Sequence, residues 1–199
     1  MITTIVFDFA GVISKRNFFP VVAENLSEKY GIPKEKILEN LSKHVSQYIL
    51  GKESTQEFWK KTCGEFNIPY EEFVNIFCSS YELNFQMIEL VKKLKEKYNI
   101  FLLSDNFDAL SKTLRKDDRL DGLFEKMYFS DEMHFIKEDE KAFYYMLNDT
   151  SKKAEECLFV DDKEMNLVEA KKIGMKTILF KDIEEFKKDL LNLQILATS

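Results

Sequence analysis

Apolar positions along the chain follow two rhythms. Short runs rich in β-branched and aromatic residues occur from about Ile2 to Asp8, Tyr98 to Leu103, Lys126 to Phe129, Cys157 to Asp161 and Thr177 to Phe180. Such runs, bounded by turn residues, predict buried strands. Elsewhere the apolar residues recur every three to four positions, which predicts helices. Phe18 to Tyr30 is the first, broken by Gly31-Ile32-Pro33. Ile37, Leu38, Leu41, Val45, Tyr48 and Ile49 make a second that stops at Gly51. Ser54 or Thr55 caps a third carrying Phe58 and Trp59, and Tyr70 to Tyr81 is a fourth. Later helices are marked by Met87, Leu90, Val91 and Leu94, by Leu110 and Leu114, by Lys141 to Leu147, by Asn166 to Ile173 and by Ile183, Phe186, Leu190 and Leu193.

Strands separated by helices imply an α/β fold with a doubly wound parallel sheet, Rossmann-like in its alternation. The stretch between the first and second strands has no strand pattern. It reads as a four-helix insertion, residues 16–83, in a core built from residues 1–15 and 84–199.

Composition narrows the class. The 199 residues carry a formal net charge of −6, with 45% hydrophobic and 32% charged side chains, as in an ordinary globular protein. No basic run forms a stripe for nucleic acid. No apolar run approaches the ~20 residues that span a bilayer. The cysteines, Cys63, Cys78 and Cys157, are odd in number and lack metal-ligand spacing, so they read as reduced thiols of a cytoplasmic protein. The chain opens directly into a strand pattern, so no targeting segment is expected.

Candidate chemistry lies where strands stop. Thr3-Thr4-Ile5-Val6-Phe7 delivers Asp8, followed at once by Phe9-Ala10-Gly11. Ile100 to Leu103 leads into Ser104-Asp105-Asn106, and Leu158-Phe159-Val160 into Asp161-Asp162. In an open α/β sheet ligands bind beyond the carboxyl ends of the strands. Each of these is an ordinary strand-end turn when taken alone; three together form a constellation able to take phosphate or metal.

These residues, in this order, resemble the haloacid dehalogenase-like hydrolases with a helical cap inserted after the first strand. The first motif, Asp-x-Asp-Gly-(Thr/Val), stands here as Asp8-Phe9-Ala10-Gly11-Val12. The second, a strand ending in Ser or Thr, is Leu102-Leu103-Ser104. The third, Ser-x-Glu-x-Gly-x-x-Lys-Pro, runs from Ser130 through Glu132 to Lys137, with His134 and Glu138 in place of the usual Gly and Pro. The fourth is Phe159-Val160-Asp161-Asp162, followed by Asn166, Ala170 and Gly174. Gly51 to Trp59 also looks like the family's cap. The resemblance implies a Mg²⁺-dependent hydrolase of a small phosphorylated metabolite, monomeric or homodimeric, that binds neither nucleic acid nor membrane. It casts Asp8 as the nucleophile that forms an aspartyl-phosphate. Asp8, the Ala10 carbonyl and Asp162 would ligate Mg²⁺, with Asp161 on a metal water or orienting the shell and Asn166 assisting. Ser104 and the amides of Asp105 and Asn106 would hold phosphoryl oxygens, and Lys137 would neutralise their charge.

One departure matters. The family's phosphatases carry a second aspartate where this chain has Ala10, and alanine transfers no proton. General acid–base catalysis is worth about 10²–10⁴-fold. The expectation is therefore a weakened phosphatase, one that acts on good leaving groups, or one whose proton comes from water or the cap. The alternatives are a phosphate-binding or interaction protein of the same fold, an engineered alanine that traps a complex, and Schiff-base chemistry at Lys43-His44, which a surface helix explains better. The insert aromatics Phe18, Phe19, Phe58, Trp59, Phe66, Tyr70, Phe73 and Phe77 read as core of the helical unit rather than as pocket.

Overall fold

The computed structural model describes residues 1–196. Its sheet has five parallel strands in the order β3-β2-β1-β4-β5, with β1 Thr4–Phe7, β2 Asn99–Ser104, β3 Lys126–Phe129, β4 Cys157–Asp161 and β5 Lys176–Leu179. Parallel neighbours need a crossover, and helices supply it. Those are α5 Phe85–Leu94, α6 Asp108–Leu114, α7 Ser130–Met133, α8 Glu140–Thr150 and α9 Glu164–Lys172, and α10 Ile183–Asn192 follows the last strand. Four further helices separate β1 from α5: α1 Phe18–Tyr30, α2 Lys34–Tyr48, α3 Thr55–Thr62 and α4 Tyr70–Ser79.

Side chains of a strand alternate between the faces of a sheet, and the core divides accordingly. Ile5, Phe7, Ile100, Leu102, Leu158 and Val160 join one apolar cluster with α5, α10 and the four-helix unit. Val6, Phe101, Leu103 and Phe159 join the other with Phe143 and Met146 of α8 and Leu167 and Ala170 of α9. Central strands covered on both faces need the continuous apolar runs that the sequence shows.

The four-helix unit connects to the sheet through two adjacent segments. Ser14 and Leu83 form an antiparallel bridge, Lys15 N–H donates to the Glu82 carbonyl at 2.8 Å, and Asn84 N–H donates to the Ile13 carbonyl at 2.8 Å. The end of α2 rests on α7. Ser130 Oγ donates to the Ile49 carbonyl at 2.6 Å, and His134 Nδ1 lies 2.8 Å from the Leu50 carbonyl. Gly51, at φ +63°, passes so close to α7 that a Cβ there would lie 2.0 Å from the Asp131 carbonyl oxygen. Only glycine fits that approach.

Element boundaries moved by one or two residues. β2 starts at Asn99 because the Tyr98 N–H is spent on the Leu94 carbonyl at the end of α5. β1 is shorter than Ile2–Asp8, and β5 stops at Leu179. α4 ends at Ser79 instead of Tyr81, because Ser80 leaves helical geometry at ψ 43°. Ser54, not Thr55, caps α3, in a capping box with Glu57. α7, with four residues, is too short to show a period and was not expected.

Candidate active site

Sheet register assembles the site. Phe7 pairs with Leu102 on one side and with Val160 on the other. One residue further, Asp8 leaves β1 beside Asp161, the last residue of β4, and Asp8 N–H donates to the Val160 carbonyl at 2.9 Å. The chain then turns sharply through Phe9–Ile13, with Gly11 at φ +85°. A Cβ on Gly11 would lie 2.4 Å from Asp162 Oδ2, so the turn needs glycine for its conformation and for room beside that carboxylate.

Asp8, Asp161 and Asp162 each offer an oxygen within 4.8 Å of the others. Three carboxylates this close repel unless cations intervene. Lys137 is one such cation. It is 2% exposed, and its Nζ donates to Asp8 Oδ1 and to Asp161 Oδ2, both at 2.6 Å. Burial opposes its charge, but Asp8, Asp161 and Asp105 more than offset this and hold its pKa above the ordinary lysine range. Burial raises the Asp8 carboxyl; the Lys137 ammonium pulls it back, and Asp161 and Asp162 push it up again. Asp105 places Lys137 by accepting its backbone N–H at 3.0 Å.

The acidic pair divides its work. Asp161 is fully buried and accepts from Lys137, from Asn166 Nδ2 at 3.1 and 3.0 Å, and from the Lys163 N–H at 2.8 Å. Asp162 accepts from Asn17 Nδ2 at 3.3 Å through Oδ2, while its Oδ1 is buried with no hydrogen-bond partner among the described residues. Its carboxyl is raised by burial first and by the charge of Asp161 second. A buried acceptor without a partner is expensive, and this carboxylate lies beside those of Asp8 and Asp161.

A cavity of about 430 Å³ opens over Asp8, Ala10, Asp105, Lys137 and Asn166. Ser104 and Asn106 are not among its lining residues. Ser104 is the last residue of β2 and is 2% exposed. The Asn106 amide is not free for phosphate as expected: its N–H donates to Ser130 Oγ at 2.9 Å, because the α7 serine reaches across to it. What Asn106 leaves unpaired is its side-chain Nδ2, a buried donor with no partner among the described residues.

The third motif folds in an unforeseen way. His134 adopts φ +64°, the left-handed conformation that suits a glycine, so the histidine fills that turn itself. Glu132 turns outward to Arg115 at 3.0 and 2.5 Å. Lys43 is exposed on α2, and neither it nor His44 lines the cavity, which removes the Schiff-base geometry. The insert aromatics Phe18, Phe58, Phe73 and Phe77 are buried core, and Phe19, Trp59 and Phe66 pack against them, as expected. Phe18 and Phe19 also line the cavity from the start of α1. Asn17 was missed. It stands at the N-cap position of α1 yet makes no side-chain cap, and its amide goes to Asp162 instead.

Comparison with known proteins agrees with this layout. The family model for haloacid dehalogenase-like hydrolases matches residues 5–180. A D-ribitol-5-phosphate phosphatase from Bacteroides thetaiotaomicron is 26% identical, covering 96% of this chain and 97% of its own. A 71-residue stretch, 36% of this chain, is 35% identical to a drimenol cyclase from Aspergillus calidoustus, of which it spans 13%. Among solved structures, a haloacid dehalogenase family enzyme from B. thetaiotaomicron, in complex with magnesium and inorganic phosphate, superposes with a TM-score of 0.76 at 22% identity, covering 94% of this chain and 99% of that one. A predicted hydrolase of the same kind from Porphyromonas gingivalis gives 0.75 at 22%, covering 98% of each chain. At these identities the structural likeness is one of fold. The family match spans most of the sequence, and the chain belongs to the haloacid dehalogenase-like hydrolases.

Proposed function

We propose that the protein hydrolyses small phosphomonoesters with Mg²⁺, through an aspartyl-phosphate on Asp8. The observation that carries this is the buried Asp8–Lys137–Asp161 ion cluster, whose Asp8 and Lys137 line a cavity, with Asp162 beside it. An Asp8 oxygen attacks phosphorus, the ester P–O bond breaks, and the alcohol oxygen leaves with its electron pair. Water then attacks phosphorus, releasing inorganic phosphate and free Asp8. Lys137 stabilises charge on the transferring group, and Asp161 and Asp105 hold Lys137 in place. Of the residues expected to hold phosphoryl oxygens, Lys137 and Asp105 line the cavity, whereas Ser104 and Asn106 are buried and do not line it.

The donor set fits a hard divalent cation. All the candidate ligands are oxygens, and Asp162 Oδ1 is an orphaned buried acceptor. Asp8, the Ala10 carbonyl and Asp162 would hold Mg²⁺, while Asp161, already accepting four hydrogen bonds, orients the shell. Bound there, the cation supplies positive charge against the repulsion between phosphate and carboxylates. Residues 16–83 act as a cap over the cavity. The phosphatase relative supports a small phosphorylated metabolite as substrate, and the unpaired cysteines support a cytoplasmic setting.

Ala10 favours a second reading, a catalytically impaired phosphate-binding protein of the same fold. Phosphate release from a panel of esters separates the two. Activity in Mg²⁺, lost in EDTA and abolished by Asp8→Asn, supports the enzyme; no release in any condition, with inorganic phosphate still bound, supports the second reading.

A further inference from the structure

We propose that the ester this site takes is a phosphate monoester of a compact aromatic alcohol. The proposal rests on the phosphatase reading and names its substrate class.

Two independent observations carry it. The first is the wall. Above the charged floor, the cap side of the cavity is formed by Phe18, Phe19 and Pro20 of α1, Val45 of α2 and Ile49 just past its end. From the core side come Phe107 and Met165. Phe19 and Phe107 stack across the cap–core boundary, with ring centroids 5.1 Å apart and planes inclined by 15°. The polar lining residues are Asp8, Asn17, Asp105, Lys137, Glu138, Lys163 and Asn166. Asn17 is held by Asp162, Asp105 by the Lys137 N–H and Asn166 by Asp161. Among the described residues, no polar side chain of α1 or α2 lines the wall, and the polar lining groups not already engaged, Glu138 and Lys163, are exposed residues on the core side. A polyol lying against the α1–α2 wall leaves the hydroxyls on that side without partners, which is unfavourable, whereas an aromatic ring finds other rings and methylenes.

The second observation is Ala10. The leaving oxygen departs with no acid at that position. A phenol ionises near pH ~10, as a tyrosine does, far more readily than an aliphatic alcohol. A phenolate therefore leaves with its electron pair and takes its proton from water afterwards. The wall and the missing acid select the same chemical class.

The test measures kcat/KM with Mg²⁺ for 1-naphthyl phosphate, 2-phenylethyl phosphate and ribitol 5-phosphate. The last two share an aliphatic leaving group and differ in polarity, so their ratio reads the wall alone. The expected order is naphthyl, then phenylethyl, then ribitol, with phenylethyl at least ~10-fold above ribitol, the factor supplied by burying one ring. Phe19→Asn lowers that ratio several-fold. Phenylphosphonate, which is not hydrolysed, reads the wall without turnover and binds ~10-fold tighter than methylphosphonate. Ribitol 5-phosphate turned over as well as phenylethyl phosphate, or a ratio unmoved by Phe19→Asn, overturns the proposal and leaves the phosphatase reading standing. Turnover of none of the three overturns both.

Discussion

Replacing Lys137 by methionine tests the electrostatic heart of the site. The side chain is 2% exposed and sits 2.6 Å from both Asp8 and Asp161. Methionine matches its length and apolar stem, so the perturbation is loss of charge. Removing one partner of a buried pair typically destabilises by about 3–5 kcal/mol, because the remaining charge is uncompensated. Here two carboxylates are left. Unfolding entropy is about 2.1 cal/mol/K per residue, or about 0.42 kcal/mol/K over 199 residues, so the expected fall in Tm is about 7–12 °C. The assay is thermal unfolding in EDTA across pH. Without Lys137 the buried Asp8 carboxyl, already raised by burial, loses the charge that pulls it back and lies above its unfolded value of ~3.9. The penalty is therefore full at neutral pH and shrinks as pH falls toward ~4, where the folded form takes up the proton. A shift under ~2 °C, or a deficit that grows on acidification, refutes the reasoning.

Three further outcomes follow from the geometry. Saturating Mg²⁺, at ~100 times its Kd, stabilises the native protein by about 2.7 kcal/mol; Asp162→Asn loses most of that gain, and an unchanged Mg²⁺ response removes Asp162 from the ligand set. Gly11→Ala forces a left-handed residue and drives its Cβ toward Asp162 Oδ2; denaturant unfolding shows a loss of about 1–3 kcal/mol, and a neutral result contradicts the turn. Ala10→Asp restores a proton donor and raises kcat on alkyl phosphates by about 10²-fold or more, measured by phosphate release; no gain means the proton comes from another group.

Much of the fold was legible because parallel strands buried on both faces write continuous apolar runs. Ile100 to Leu103 and Leu158 to Val160 were readable for that reason, and so were the polar residues that follow them. The helical insert was readable from its period and from breakers such as Gly31 and Gly51. Sequence spacing carried less about how site residues divide their work. Asp161 and Asp162 are adjacent in sequence, yet one is saturated with hydrogen bonds and the other holds an orphaned oxygen, a distinction set by Asn166 of the following helix and by Lys137 and Asn17 from distant parts of the chain. Lys137 sits among Glu138, Asp139, Glu140 and Lys141, which look like a solvated face; only the Asp105 tether and the two partner carboxylates draw it inside. Phe18 and Phe19 follow the same helical rhythm as core residues. Their place on the cavity wall depends on where α1 meets Phe107, which no local pattern records.

The account stands or falls on Asp8 as the atom donor to phosphorus. The direct measurement is to quench the enzyme with acid during turnover of an aryl phosphate with Mg²⁺, reduce with borohydride, and map the peptides by mass spectrometry. An acyl-phosphate is reduced to an alcohol where a free carboxylate is not. The account predicts reduction at Asp8, dependent on substrate and absent in EDTA. Reduction at another carboxylate, or a steady turnover with Asp8 never modified, would contradict it.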